Sequence, residues 1–189
     1  DQKRDTLLNV NLFGQVTPSA RFMGGREYEI EAGSGVPNQK DMRQMLKDDL
    51  ILLPSIINEA GPFQSCEPNW TPYIPEPGSG LRNLVMCCYL AMMTRECLNL
   101  VGHEGKIIVE GPFAKNLNYI RMLSVITESE ILLSKSITGT TIGSAMLFLK
   151  KGQKINIQYD SVTHKDTELS NFASLWKQEI DLHRSNSVS

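Results

Sequence analysis

The segment Glu110-Gly111-Pro112-Phe113-Ala114-Lys115-Asn116 has the residue types best suited to a chemical task. It follows the β-branched run Lys106-Ile107-Ile108-Val109-Glu110 and opens a helical pattern, so its free amides lie at a helix N-terminus, where the dipole attracts anions. Lys115 adds a cation, and a phosphate or nucleotide is the ligand class such a turn suits. The segment has neither P-loop nor dinucleotide-fingerprint spacing, and an ordinary strand-to-helix turn explains it equally well. Thr138-Gly139-Thr140-Thr141 has the same duality, with threonine capping the commoner use. Gly24-Gly25-Arg26-Glu27 is a third candidate, because glycine lets backbone approach a ligand without a Cβ. A β-bulge or hairpin turn explains that pair at least as often.

Other chemistry finds little footing. His103, His164 and His183 are scattered and read as surface or cap residues, and no Gly-x-Ser-x-Gly nucleophile motif occurs. Cys66, Cys87, Cys88 and Cys97 lack Cys-x-x-Cys spacing, which predicts free thiols rather than a zinc site or a disulfide framework. No catalytic residue and no metal ligand is therefore assigned. The 19 Lys and Arg against 21 Asp and Glu give a near-neutral chain that offers no general attraction for nucleic acid or an anionic membrane. No run approaches the roughly 18 apolar residues of a membrane span. A soluble cytoplasmic protein is expected, and the absence of an initiator Met suggests a piece of a longer one.

The positioning elements follow from periodicity. Between Lys106 and Leu149 the order is strand, glycine turn, helix, strand, glycine turn, helix. Leu117, Ile120, Leu123 and Ile126 predict the first helix, Glu130 to Ser134 the second strand, and Ile142, Ala145, Met146 and Leu149 the second helix. Upstream, Leu8, Val10 and Leu12, then Phe22, Tyr28 and Ile30, predict short strands or a hairpin broken at Phe13-Gly14-Gln15 and at Gly24-Gly25. Asn38 to Lys47 predicts a short helix and Leu50 to Pro54 a strand or loop entry. The proline-rich stretch Gly61 to Gly80 reads as an irregular loop in which Trp70 and Tyr73 anchor the loop or a partner. Leu81 to Val101 is the longest helix, apolar around most of its circumference and expected between layers, with Gly102 as its C-cap. A last helix spans about Thr167 to His183, with a frayed tail from Arg184. The fold class is α/β, with 41% hydrophobic residues among 189, enough for a substantial core.

In that order and spacing the chain resembles the C-terminal part of an FGGY-family carbohydrate kinase. Ile107 to Asn116 resembles the family's adenosine motif, and Thr138 to Ala145 resembles the following segment that ends in Gly-Ala-Ala. Arg21-Phe22-Met23-Gly24-Gly25-Arg26-Glu27-Tyr28-Glu29 is similar to the glycine segment with which glycerol-kinase-like members approach the nucleotide phosphates. The resemblance implies a partial ribonuclease H-like, actin-like ATPase domain over residues 1–189, with a mixed sheet and flanking helices. It also implies ATP and Mg²⁺ as cofactors. On this basis Gly111, Pro112, Lys115 and Asn116 line the nucleotide, with Gly25 and Glu29 on the phosphate side. The family's usual glycine run is reduced here to Gly111 between Glu110 and Pro112, and Phe113 brings a bulky ring, which implies an altered adenine pocket.

Family members carry an acidic base for the sugar hydroxyl and glycine-rich phosphate hairpins upstream of this segment. The resemblance thus implies a sugar or polyol kinase that meets its sugar through an N-terminal domain outside this chain, with this part inactive alone. A homo-oligomer is compatible with it. The alternative is a non-catalytic actin-like module that binds nucleotide or protein, supported by Phe113 and the lost glycines.

Overall fold

The computed structural model of the chain describes residues 1–134, 143, 144, 147, 148 and 157–187. Its centre is a 21-residue helix, α3 (Gly80–Leu100), with 13 buried residues on every side of it. An all-round apolar helix has to be enclosed, and α1 (Gly24–Glu31), α2 (Gln39–Lys47), α4 (Leu117–Thr127) and strand β3 (Ile51–Leu53) pack against it. Ser79 Oγ accepts from the Arg82 amide to start α3. Its end is a Schellman motif: Gly102 at φ 66° lets its own amide donate to the Asn99 carbonyl and that of His103 to Leu98.

Among the described residues, strand pairing forms three small sheets. β1 (Thr6–Val10) and β2 (Val16–Ala20) make an antiparallel hairpin, and β3 pairs antiparallel with β4 (Asn69–Thr71). β5 (Ile107–Val109) runs parallel to β6 (Ile131–Ser134), which pairs antiparallel with β7 (Tyr159–Val162). The parallel β5–α4–β6 unit is the predicted strand–turn–helix–strand, and it sets the glycine turn at the carboxyl end of β5. The last helix, α5 (Thr167–Ser187), buries Leu169, Phe172, Ala173, Trp176 and Ile180 against α2, α4 and β3.

Several expectations require correction. Gly24-Gly25 does not break a hairpin; it opens α1. The apparent alternation of Phe22, Tyr28 and Ile30 misleads because the inward residue is a glutamate: Glu27 is 1% exposed, whereas Ile30 is 50% exposed. The Ile57 amide and the Tyr89 hydroxyl both donate to its carboxylate, at 3.2 and 3.1 Å, and a satisfied buried polar group overrides the binary pattern. The proline-rich loop contains β4. Trp70 within it lies under the Arg82 guanidinium, and the Tyr73 hydroxyl donates to Asp48, so both side chains anchor the loop to its own chain. Leu117, the first residue of α4, is 73% exposed rather than part of the inner stripe, whereas Ile120, Leu123 and Ile126 are buried as expected. α5 continues past the expected fray to Ser187. The turn expected at Thr138 to Thr141 and most of the helix after it lie outside the described residues.

Burial raises the Glu27 carboxyl above its ordinary value near 4.5, with the Ile57 and Tyr89 bonds pulling the other way. A raised folded-state value means that the native state holds the proton more tightly. Its stabilising effect is therefore complete below pH 4.5 and lost as pH rises through the folded value. Glu27→Gln cannot ionise. Its stability relative to wild type should climb with pH from 4.5 upward and then level off, as read by urea titrations at stepped pH. Parallel pH profiles for the two proteins would contradict this assignment.

Candidate nucleotide-binding cleft

The turn after β5 is built on one conformational requirement. Gly111 sits at φ 76°, ψ −160°, a backbone region that side-chain-bearing residues avoid. It redirects the chain into the 3₁₀ turn and delivers Asn116 to the N-cap of α4, where its Oδ1 accepts from the Tyr119 amide at 3.1 Å. Facing the turn is the first part of α1. Met23 provides no side-chain cap there, and a Cβ at Gly25 would meet nothing within 4 Å. Gly24 differs: its Cβ would come within 2.6 Å of the Phe22 ring, so that glycine serves packing.

Gly25, Tyr28, Glu29, Pro112, Phe113, Lys115 and Asn116 line one open cleft of about 430 Å³ between α1 and the turn. Five of the six residues expected from the sequence thus converge from segments over 80 positions apart. The sixth, Gly111, forms the turn's entry rather than the wall. Lys115 is exposed and has no ion pair among the described residues, so its ammonium is free for an anion. Glu29 is exposed and pairs with Arg26 at 3.2 Å.

Asn116 reaches the cleft with its polar atoms engaged. Besides capping α4, it donates through Nδ2 to the Tyr28 hydroxyl at 3.4 Å and to Cys87 Sγ at 3.3 Å. The Tyr28 hydroxyl donates in turn to Asn83 Oδ1 at 2.7 Å, and Asn83 Nδ2 donates to the Gly35 carbonyl. Burial raises the Tyr28 phenol and pushes the Cys87 thiol up to about 11, so both stay neutral hydrogen-bonding groups. Cys88 and Cys97 are likewise pushed up to about 12 by burial, and all four cysteines are free.

Phe113 is held edge-on between Tyr28 and Tyr119, with ring centroids 5.5 and 5.4 Å away. The ring that stands where the family resemblance implies glycine is therefore half-buried against the core and forms part of the cleft wall. Tyr28 is the wall residue that sequence reading did not single out. Its signal was its position three residues after Gly25, which shares a face with it only once the segment is helical. Among the described residues no group of three or more His, Cys, Asp and Glu converges as a metal site, and no helix is long and apolar enough to cross a membrane.

Comparison with known proteins bears on the fold and the family. No curated protein matches the chain in sequence. Among solved structures, a carbohydrate kinase from Novosphingobium aromaticivorans is similar at 25% identity with a TM-score of 0.78, over 95% of this chain and 40% of that one. Xylulose kinase from Rhodospirillum rubrum matches at 11% identity and a TM-score of 0.66, over 98% of this chain and 43% of that one. Glycerol kinase from Plasmodium falciparum, solved with ADP, matches at 13% identity and a TM-score of 0.54, over 77% and 34%. The chain thus spans less than half the length of these kinases, and the shared architecture is the actin-like ATPase fold. The family model described as "Carbohydrate kinase FGGY, C-terminal domain" matches residues 1–156, and the chain belongs to the FGGY carbohydrate kinase family, as part of its C-terminal domain.

Proposed function

We propose that this chain forms the nucleotide side of an ATP-dependent sugar or polyol kinase, with residues 1–189 belonging to the C-terminal domain and the sugar held by a domain outside it. The observation that carries this reading is the convergence of Gly25, Glu29, Pro112, Lys115 and Asn116 on one cleft. The similar Plasmodium falciparum kinase was solved with ADP, which supports a nucleotide as the ligand. The cleft suits one: an open glycine face on α1, a free ammonium at Lys115, and an aromatic wall. Mg²⁺ would accompany the nucleotide's phosphates. Glu29, the one carboxylate among the described lining residues, is paired with Arg26, and no ligand set converges among the described residues, so no step is derived through the metal.

Phosphoryl transfer needs a positioned acceptor and a base for its proton. The described cleft supplies neither, and the acceptor side belongs to the rest of the kinase in this reading. In this reading that remainder packs against apolar surface that is uncovered here. Leu8, Val10, Phe13 and Val16 leave the β1–β2 hairpin with an exposed apolar face. Among the described residues β5 has β6 as its sole neighbour, and an apolar groove runs beside it past Phe22, Leu90 and Leu98. Uncovered apolar area of this kind marks an interface.

Gly25→Ala tests the reading. The position is helical with free space around it, so the substitution should leave stability unchanged or raise it by about 0.5–1 kcal/mol. A methyl facing the ligand should weaken ADP binding by about tenfold, measured by calorimetry on the full-length kinase. Unchanged affinity would remove α1 from the nucleotide site.

A further inference from the structure

We infer that this cleft holds the nucleotide base by stacking on the Phe113–Tyr28 wall and does not read the base edge, so that adenine and guanine nucleotides bind alike. The inference rests on the nucleotide reading above and deepens it. Base recognition needs donors and acceptors with free valences, because a polar side chain already satisfied within the protein gains nothing from a base and must lose a bond to reach one. Apart from Lys115, whose ammonium the nucleotide reading gives to the phosphates, the described side chains that could supply them are engaged. The Asn116 amide accepts from the Tyr119 amide and donates to Tyr28 and Cys87. The Tyr28 hydroxyl donates to Asn83 while accepting from Asn116. Glu29, the one carboxylate among the described lining residues, is paired with Arg26.

Faces, in contrast, are available. Phe113 is half-buried and lines both the cleft and the neighbouring apolar groove. Its T-shaped contacts with Tyr28 and Tyr119 fix the ring plane. A fixed aromatic ring attracts any base through its π-face, and the preference between bases is weak because every base has one. A glycine in this place would offer backbone alone. The phenylalanine thus trades a close-fitting backbone turn for a sequence-tolerant platform.

The test is calorimetric titration of the full-length kinase with ADP, GDP and inorganic diphosphate, in wild type and Phe113→Leu. Leucine keeps the apolar packing but has no π-face. ADP and GDP should bind wild type within about threefold of one another, and Phe113→Leu should weaken both by about tenfold while leaving diphosphate unchanged. A preference of tenfold or more for ADP over GDP would overturn the inference and leave the nucleotide reading intact. Equal ADP affinity in wild type and Phe113→Leu would overturn it too, by removing the ring from the site. Loss of diphosphate along with both nucleotides in Phe113→Leu would show a general collapse of the turn and also overturn it. Failure of every ligand to bind wild type would overturn the nucleotide reading and the inference together.

Discussion

Gly111→Val should weaken nucleotide binding by at least about tenfold and lower the stability of the fold by about 1–3 kcal/mol. The reasoning separates strain from collision. A Cβ at position 111 would touch nothing within 4 Å, so no clash is created, but φ 76° with ψ −160° belongs to the region open almost only to glycine. Valine, branched at Cβ, would push the backbone towards negative φ and rotate the following turn. That turn carries Pro112, Phe113, Lys115 and Asn116, so one torsion displaces the wall, the free ammonium and the α4 cap together. Gly111→Ala should act in the same direction, because the strain belongs to the torsion and not to side-chain size. Calorimetry on the full-length protein and thermal unfolding check both effects. Unchanged nucleotide affinity in Gly111→Val would return this segment to an ordinary strand-to-helix connection and favour a non-catalytic module.

The second large effect is expected far from the cleft. Trp176 on α5 is 1% exposed, and its Nε1 donates to the Leu52 carbonyl at 2.8 Å. Its ring meets Phe63 edge-on at 6.1 Å. Trp176→Ala removes a large volume and leaves a buried carbonyl without its partner, and it should destabilise the protein by about 3–5 kcal/mol. Trp176→Phe keeps most of the packing and loses the donor, for which about 1–3 kcal/mol is expected. Denaturant titration distinguishes them. A loss under about 1 kcal/mol for Trp176→Ala would show that α5 is dispensable to the core.

The fold was most readable where apolar spacing and burial coincide. α3 and α5 announce themselves by long apolar stripes, and β5 and β6 by short β-branched and apolar runs next to turn residues. α1 was hidden for a physical reason: its inward residue is Glu27, whose burial depends on the Tyr89 hydroxyl and the Ile57 amide, partners 62 and 30 positions away that no local pattern reveals. The candidate site followed the same division. Gly111 could be read locally, since a strand that stops at Gly-Pro needs a special backbone torsion. The engagement of Asn116 could not, because it depends on Tyr28 and Cys87 meeting the turn in three dimensions.

Asn116 has a thermodynamic consequence of its own. A single amide group joins the start of α4 to Tyr28 on α1 and to Cys87 on α3, so the local order of three helices and the shape of the turn share one set of bonds. Coupling of this kind works equally in both directions. A ligand that holds the turn in its present shape also tightens the corner where the helices meet, and a substitution that loosens that corner weakens the ligand by the same factor. Residues with no contact to the cleft, such as Asn83 beneath Tyr28, thereby acquire leverage over its affinity.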